Sequence, residues 1–346
     1  MMNRVSLVVT SIAAPNDVLR SLALGAQANN WTFYVIGDVS SPSKFELDGS
    51  KFLSVADQLN TGLATASASP TKHYSRKNIG YLLAMKDGAD AIVETDDDNF
   101  PKPAFWNQRS FRSRAATLTS GDWVNVYRYF TDAPIWPRGL PLDAIQQVYP
   151  DYATLEQDDT YCPIQQGLAD ENPDVDAIYR LAFPLPLSFR ADRRVALGGS
   201  TWCPFNSQNT TWSREAFPLL YLPSYCSFRM TDIWRSFVAQ RIAFANGWSL
   251  LFHESTVWQE RNEHNLMKDF ADEIPGYLHN RKICEMLAGV DVKPGSAAIP
   301  ENLLRCYEVL VSGGFVDQRE MDILDAWISD LSAILGLPKL AKSVRA

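Results

Sequence analysis

The sequence contains no run of about 18 consecutive apolar residues, so no transmembrane helix is expected. Residues 1–10 become polar too soon for a signal peptide, and we expect a cytoplasmic protein. The chain has only five cysteines, without a CxxC pair or zinc-ligand spacing, which indicates reduced thiols rather than a disulfide framework. It also has only four scattered histidines, too few for a metal-dependent phosphoryl hydrolase that is built on His and Asp ligands.

The chain also lacks an excess of positive charge. Its 40 acidic residues outnumber its 32 basic residues and give a net charge of -8, so nucleic acid is not an expected partner. Hydrophobic residues make up 46% of the 346 residues, and 17 Phe, 13 Tyr and 10 Trp can build a sizeable core. This composition excludes a disordered, fibrous or short-repeat protein, and the length allows two domains or one large one.

Strand and helix patterns alternate in the first hundred residues. The periodicity predicts strands at 5–10, 31–36 and 51–55, and a helix that begins after a cap at Asn16. An α/β protein with a partly parallel sheet is therefore expected, and its ligands should bind at the carboxyl ends of the strands. Thr10 and Asp38 lie at two of these ends.

The strongest single motif is a string of three aspartates. Residues 91–95 read as a buried strand that runs directly into Asp96, Asp97 and Asp98. In an extended chain, Asp96 and Asp98 point to one side and Asp97 to the other. Two carboxylates at this spacing suit Mg²⁺ or Mn²⁺ bridging to phosphates, and the alternative is a solvated acidic turn. Three adjacent carboxylates also need a compensating positive charge or open access to water.

A basic cluster precedes this motif, at the start of a helix predicted over 76–87. Arg76 and Lys77 oppose the positive end of the helix macrodipole there. A diphosphate would relieve this conflict, because helix amides and the two cations form an anion site together. The alternative is a solvated helix end.

Two further residues are candidates in the second half of the chain. His253 ends a strand predicted over 248–253 and is either a third metal ligand or an ordinary buried histidine. Asp232 lies at the start of a helix predicted over 231–245. It is either the N-cap of this helix or a carboxylate that faces the acceptor.

The remainder of the chain divides at about residue 280. The segment 120–230 is rich in proline and aromatic residues and predicts short strands and long loops that shape a pocket. Helices are predicted over 301–311 and 317–335, and the second carries an apolar stripe that packs on the main domain or, alternatively, forms a homodimer interface. We therefore expect a main domain over 1–280 and a helical extension over 281–346 that packs on it.

The order of several motifs resembles a known family. The chain is similar to the STELLO-type glycosyltransferase-related proteins at residues 76–82, 88–90, 94–99, 135–143 and 231–235. More distantly it resembles the reversibly glycosylated polypeptides, the UDP-arabinopyranose mutases. The matching pieces there are the triple Asp, Arg138-Gly139, residues 166–168, 174–177, 205–206 and 232–234, and His253. The resemblance covers roughly residues 5 to 280.

This resemblance implies a GT-A fold with a nucleotide-sugar site in the N-terminal half and an acceptor side in the second half. It implies that Thr10, Asp38, Arg76 and Lys77 bind the nucleotide and its phosphates, and Asp97 is counted with the nucleotide-sugar-binding residues. Asp96 and Asp98 would hold Mn²⁺ or Mg²⁺. Arg138 matches the arginine that carries the sugar in the mutase-like relatives.

We therefore expect a metal-dependent glycosyltransferase with a UDP-linked sugar donor. Asp232 would position or deprotonate the acceptor hydroxyl, and the acceptor is a glycan, a protein or a small molecule. The first alternative is a nucleotide-sugar mutase in which Arg138 takes the glycosyl group transiently. The second is a non-catalytic protein that binds a nucleotide sugar and regulates a partner.

Overall fold

The computed structural model describes residues 4–108, 110–260 and 265–337. Within these residues the strands are β1 (Val5–Thr10), β2 (Thr32–Ile36), β3 (Lys51–Leu53), β4 (Ala91–Thr95), β5 (Asn99–Pro101), β6 (Arg112–Leu118), β7 (Gln157–Tyr161), β8 (Ile164–Asp170), β9 (Arg194–Leu197), β10 (Asn209–Ser213) and β11 (Leu250–Gln259). The helices are α1 (Asp17–Ala28), α2 (Val55–Asn60), α3 (Ala64–Ala68), α4 (Lys77–Lys86), α5 (Ala177–Ala182), α6 (Thr231–Ala245), α7 (Leu266–Ala288), α8 (Ile299–Ser312) and α9 (Glu320–Leu335). Short 3-10 turns connect several of them.

The described strands form one mixed sheet. Its order is β3-β2-β1-β4-β10-β8-β11-β9-β6-β7, and β5 pairs with β11. The first four strands are parallel, whereas β10 runs antiparallel to both β4 and β8. Helices flank this sheet, so the predicted mixed α/β class is confirmed, and the arrangement is consistent with a GT-A-like fold.

Local patterns explain the N-terminal elements. Asn16 caps α1 as predicted, because its side chain accepts a hydrogen bond from the Leu19 amide at 2.8 Å. Along β1, Leu7 and Val9 belong to the apolar cluster that includes α1, and Val8 belongs to the cluster on the other face with α4. Gly80 lets α4 approach the sheet closely, since a Cβ there would lie 2.6 Å from Val8 Cγ1.

The second half of the sheet departs from the sequence pattern at β11. This strand does not end at His253 but continues to Gln259, so the predicted boundary was wrong. The register against β8 shifts between His253 and Val257, and β11 then pairs with β5, which lies directly after the three aspartates. The carboxyl end of β11 is thereby brought to the end of β4.

The C-terminal helices share a core with the sheet. One buried cluster runs from β1 and β2 through α6 to α8 and α9, and Trp327 on α9 is fully buried in it. The predicted stripe on α9 therefore packs within the chain. The expected boundary at residue 280 falls inside α7, which is continuous from Leu266 to Ala288. No helix in the described ranges is long and apolar enough to cross a membrane.

Candidate functional site

A cavity of about 620 Å³ opens where the carboxyl ends of β1, β2, β4 and β11 meet the start of α6. Its lining includes eight residues that the sequence singled out: Thr10, Asp38, Arg76, Asp96, Asp97, Asp98, Arg138 and Asp232. These positions are spread over more than two hundred residues of sequence. Two other predicted site residues, Lys77 and His253, are not among the lining residues.

The three aspartates form a turn rather than an extended segment. The Asn99 amide donates to the Asp96 carbonyl at 3.3 Å, which reverses the chain directly after β4. The prediction that Asp97 points away from Asp96 and Asp98 was therefore wrong, because all three side chains line the same cavity. Ser11 at the end of β1 donates to Asp97 Oδ2, and Gln259 at the end of β11 donates to Asp98 Oδ2 at 3.0 Å.

Lys77 supplies the positive charge that the carboxylates require. Its ammonium group is fully buried and donates to Asp96 Oδ1 and to the Thr95 carbonyl, each at 3.0 Å. Burial raises the pKa of Asp96, and the Lys77 ammonium opposes this rise. Lys77 thus lies behind Asp96, and this corrects its expected direct contact with a phosphate.

His253 lies in the middle of β11, which is separated from β4 by β10 and β8. It pairs with Gly167 on β8 and Arg194 on β9, and its Nδ1 lies 3.0 Å from the Glu254 carbonyl. The sequence placed His253 at the end of a strand, and the continuation of β11 removes that premise. The β11 side chain that reaches the aspartates is Gln259.

The other end of the cavity combines a carboxylate with two buried donors. Asp38 Oδ2 accepts from the His73 amide at 3.0 Å. The imidazole Nδ1 accepts from the Ser75 amide at 3.1 Å, which leaves the proton on Nε2, and burial lowers the pKa of His73 to about 4. His73 Nε2 and Arg76 Nη2 are both buried without a hydrogen-bond partner among the described residues.

Arg76 is held rigidly at this end of the cavity. Its Nε donates to Gln58 Oε1 at 2.7 Å, and its Nη1 donates to the Ser69 and Pro70 carbonyls at 3.0 and 3.3 Å. Burial lowers the pKa of Arg76, while the charge of Asp38 opposes this change. A charged group held by three neutral acceptors favours an additional electron-rich partner from the cavity.

Arg138 is clamped between two carboxylates. Its Nε and Nη2 donate to Asp174 at 2.8 Å each, and its Nη1 and Nη2 donate to Asp232 at 3.1 Å each. A further Nη1 bond goes to the Arg229 carbonyl. These contacts use all five N–H groups of the guanidinium. Burial alone would lower the pKa of Arg138, but the two carboxylates raise it well above its usual range.

This clamp satisfies every N–H group of Arg138 with protein acceptors. A nucleophilic nitrogen needs a free lone pair, and a raised pKa keeps the guanidinium protonated. Gly139 makes the placement feasible: its φ of +91° is strained for other residues, and a Cβ there would lie 2.5 Å from Ile233 Cγ2. The absence of a side chain at Gly139 therefore lets the loop approach the start of α6, where Arg138 bonds Asp232.

Asp232 is a first-turn residue of α6 and not its N-cap, which is Met230, so the N-cap interpretation was wrong. Besides Arg138, it accepts from the Ser207 amide at 3.1 Å and the Ser207 hydroxyl at 3.3 Å. Burial raises its pKa, but Arg138 outweighs burial and holds the pKa well below the usual range for Asp. Such a carboxylate binds hydroxyl groups well and is a weak general base.

A buried ion pair holds Asp232 near the aspartate turn. Arg235, one turn further along α6, donates to Glu94 Oε2 at 3.0 Å, and Glu94 lies on β4 two residues before Asp96. Trp212 on β10 donates to the other oxygen of Glu94 at 2.9 Å. The start of α6 is therefore fixed against the end of β4.

Several lining residues were not among the predicted site residues: Ser11, His73, Asp174, Gln208 and Gln259. Ser11 follows Thr10 at a predicted strand end, and His73 belongs to the basic cluster that contains Arg76. Asp174 belongs to the segment 174–177 that carried the distant mutase resemblance, so a signal for it existed. Gln259 had none, because the strand that delivers it was expected to end at residue 253.

The described residues contain no group of three or more His, Cys, Asp or Glu side chains arranged to hold a metal ion by themselves. The aspartate turn supplies hard oxygen donors of the kind that Mg²⁺ and Mn²⁺ prefer. Asp96 Oδ2 accepts no hydrogen bond from a described residue, whereas Oδ1 is bound by Lys77. The donor set thus fits a cation whose remaining ligands come from a substrate or water.

Comparisons with known proteins agree with the motif resemblance. The family model described as STELLO glycosyltransferases matches residues 229–343. Two Arabidopsis thaliana proteins, printed as "Probable glycosyltransferase STELLO1" and "Probable glycosyltransferase STELLO2", are each 26% identical to the chain over 95% and 94% of its length. The resemblance to the STELLO-type family is confirmed.

The two comparisons cover different parts of the site. The STELLO family model includes Asp232 and β11, while the alignment with the two STELLO relatives also extends over the aspartate turn, His73 and Arg76. The chain spans 44% of the length of each relative.

Proposed function

We propose that this protein is a glycosyltransferase that takes its sugar from a UDP-linked donor, with Mn²⁺ or Mg²⁺ held by Asp96 and Asp98. One observation carries the proposal: the aspartate turn and the buried pair His73–Arg76 line the same cavity, at the carboxyl ends of parallel strands. This is the place where open α/β sheets bind nucleotides.

The aspartate turn is the metal and diphosphate end. Burial raises the pKa of both Asp96 and Asp97, so the unliganded turn holds more negative charge than its surroundings favour. A divalent cation there would neutralise this charge and the charge that develops on a leaving diphosphate. Asp98 is fixed by Gln259, and Asp96 by Lys77, so both would be preorganised.

The His73–Arg76 end supports uracil as the base. His73 Nε2–H and Arg76 Nη2–H are donors without partners, and the carboxylate of Asp38 lies next to both groups. This donor–acceptor–donor set complements the O–NH–O edge of uracil. Adenine and cytosine present an amino donor on the corresponding edge, which would leave one buried donor unpaired.

Transfer is favoured over the mutase reaction by the state of Arg138. With five N–H groups donated to protein acceptors and its pKa raised, Arg138 offers no lone pair for attack on a sugar carbon. Asp232, held ionised, would orient a hydroxyl rather than remove its proton. A glycosyl mass on the Arg138 peptide after incubation with UDP-sugars would overturn this preference.

Calorimetry with UDP tests the proposal directly. We expect binding with Mn²⁺ present and at least about tenfold weaker binding with EDTA, because the diphosphate would then face the carboxylates without a bridging cation. Asp98→Asn should weaken Mn²⁺-dependent binding similarly. Asp143→Asn is the matched control, since Asp143 is an exposed carboxylate outside the cavity and pairs with Arg281.

Two results would contradict the proposal. UDP affinity that is equal in Mn²⁺ and in EDTA would remove the metal role of the aspartate turn. Binding of ADP or GDP as tightly as UDP would remove the base assignment to His73, Arg76 and Asp38.

A further inference from the structure

We infer that Asp174, Asp232 and Gln208 form a wall that binds hydroxyl groups of the transferred sugar, and that Arg138 is the positioning residue of this wall. The inference rests on the proposed function and deepens it. It names the class of donor, a UDP-linked neutral sugar, as opposed to a uronic acid or another anionic sugar. The wall is defined by these three acceptor side chains, which all line the cavity.

The wall has spare acceptor capacity. Asp174 Oδ1 and Asp232 Oδ1 each accept one hydrogen bond, from Arg138 Nε and Nη1, whereas a carboxylate oxygen has two lone pairs. Gln208 is 6% exposed, and its Nε2 donates to Asn99 while its Oε1 has no donor among the described residues. Three acceptors are therefore available for hydroxyl groups, which are donors.

The wall has little donor capacity. Arg138 uses its five N–H groups on protein acceptors. Two other guanidinium groups of the lining have protein acceptors of their own: Arg180 donates to the Pro173 carbonyl at 2.9 Å and to Asn172 Oδ1 at 3.5 Å, and Arg229 is paired with Glu273 through Nε and Nη2. A sugar carboxylate beside Asp174 and Asp232 would meet two carboxylates whose shared cation, Arg138, is already fully used, which is a barrier to anionic sugars.

The wall also lies where the sugar of a bound donor would be. Asp232 and the aspartate turn line the same cavity. The Arg235–Glu94 pair fixes their separation by holding α6 to β4. A sugar attached to a diphosphate at the aspartate turn would therefore extend toward Asp232 and, through Arg138, Asp174.

The experiment compares sugar-dependent gains in affinity. Calorimetry with Mn²⁺ is run with UDP, UDP-glucose, UDP-galactose, UDP-xylose and UDP-glucuronic acid. At least one neutral donor should bind about tenfold tighter than UDP, and UDP-glucuronic acid should bind no tighter than UDP. Asp174→Asn should keep UDP affinity within about threefold and lose most of the gain for the neutral sugar.

Two further variants protect the interpretation. Gln208→Leu removes an acceptor without touching Arg138 and should also reduce the gain, even if Asp174→Asn folds poorly. Asp143→Asn should leave every affinity unchanged. If UDP binding is normal, three results would overturn the inference. They are a gain in affinity that survives in both wall variants, no gain for any neutral donor, and tightest binding of UDP-glucuronic acid. Failure of the unchanged protein to bind UDP would instead overturn the proposed function.

Discussion

Lys77 explains how three adjacent carboxylates are tolerated at the end of β4. Its fully buried ammonium neutralises Asp96 from behind, while Ser11 and Gln259 donate to Asp97 and Asp98 from neighbouring strands. The side chain of Asp96 is 38% exposed, so the Lys77 ammonium neutralises this carboxylate without covering it. Asp96 and Asp97 are therefore not equivalent in the energetics of folding.

This difference predicts unequal effects of two isosteric substitutions. Asp96→Asn should lower the free energy of unfolding by about 1–3 kcal/mol, because the buried Lys77 ammonium loses its counter-charge. Asp97→Asn should cost less than about 1 kcal/mol, since Asp97 receives a neutral donor, the Ser11 hydroxyl. Urea unfolding of both variants without metal measures the difference. The double variant Lys77→Met/Asp96→Asn, which removes both charges, should recover part of the loss. Equal costs for the two single variants would contradict the role of Lys77.

For individual residues, the sequence identifies candidate site residues better than it predicts the contacts that they make. The strand-terminal aspartates and Arg138 could be picked out from local motifs. The partners of Arg138 could not, because Asp174 and Asp232 lie 36 and 94 residues further along the chain. Lys77 was assigned to phosphate for the same reason: a helix N-terminus is visible in sequence, but the position of the ammonium relative to Asp96 depends on tertiary packing.

Elements with a cap or a buried apolar run were predicted closely. The bounds of β1, β4 and α6 agree with the sequence pattern. In contrast, β10 was missed because its residues, Asn-Thr-Thr-Trp-Ser, are mostly polar, although all five are buried. Their polar groups are satisfied by neighbouring strands, as when Asn209 bonds Thr256 and the Leu168 carbonyl. Pro275 lies inside α7. Because proline usually breaks a helix, the sequence did not predict α7 as one continuous element.

Asp330 on α9 stabilises the start of another helix, α3. Its carboxylate accepts from the amides of Ala64 and Thr65, at 3.1 and 2.8 Å, and from the Thr65 hydroxyl at 2.7 Å, so it caps the start of α3. Asp330→Ala should cost about 2 kcal/mol in urea unfolding, because buried donors lose a charged acceptor. The exposed Asp322 on the same helix provides the control, and Asp322→Ala should cost less than about 1 kcal/mol. A loss no larger than that of the control would show that the cap adds little.

The same contact links the helical part to the cavity. Directly after α3, the Ser69 and Pro70 carbonyls accept from Arg76 Nη1. On the same helix α9, Glu320 accepts from the amides of Ser224 and Tyr225 at 2.9 and 2.7 Å. The segments 69–70, which bind Arg76, and 224–225 are therefore both stabilised by contacts that lead to α9.

The whole molecule behaves as one packing unit in these contacts. The largest buried cluster contains residues from β1, α6 and α9 together, and α7 crosses the boundary that the sequence suggested at residue 280. A boundary drawn from composition detects where the pattern becomes helical. It cannot detect that one continuous helix, α7, crosses that boundary. We therefore expect the helical part and the sheet to unfold together, although chains of this length often unfold in steps.

The chain's own cysteines can report this cooperativity. Cys162 lies between β7 and β8 and Cys203 between β9 and β10, whereas Cys284 is on α7 and Cys306 on α8. All four are free thiols that are at most 2% exposed. Burial raises the pKa of Cys162, Cys203 and Cys306 to about 12 each, so the folded protein should resist alkylation, which requires a thiolate. Brief N-ethylmaleimide pulses in increasing urea, read by mass spectrometry, should label all four thiols at the same urea concentration. Labelling of Cys284 and Cys306 at clearly lower urea than Cys162 and Cys203 would instead show that the helices open as a separate unit, because only local exposure could then make those two thiols reactive first.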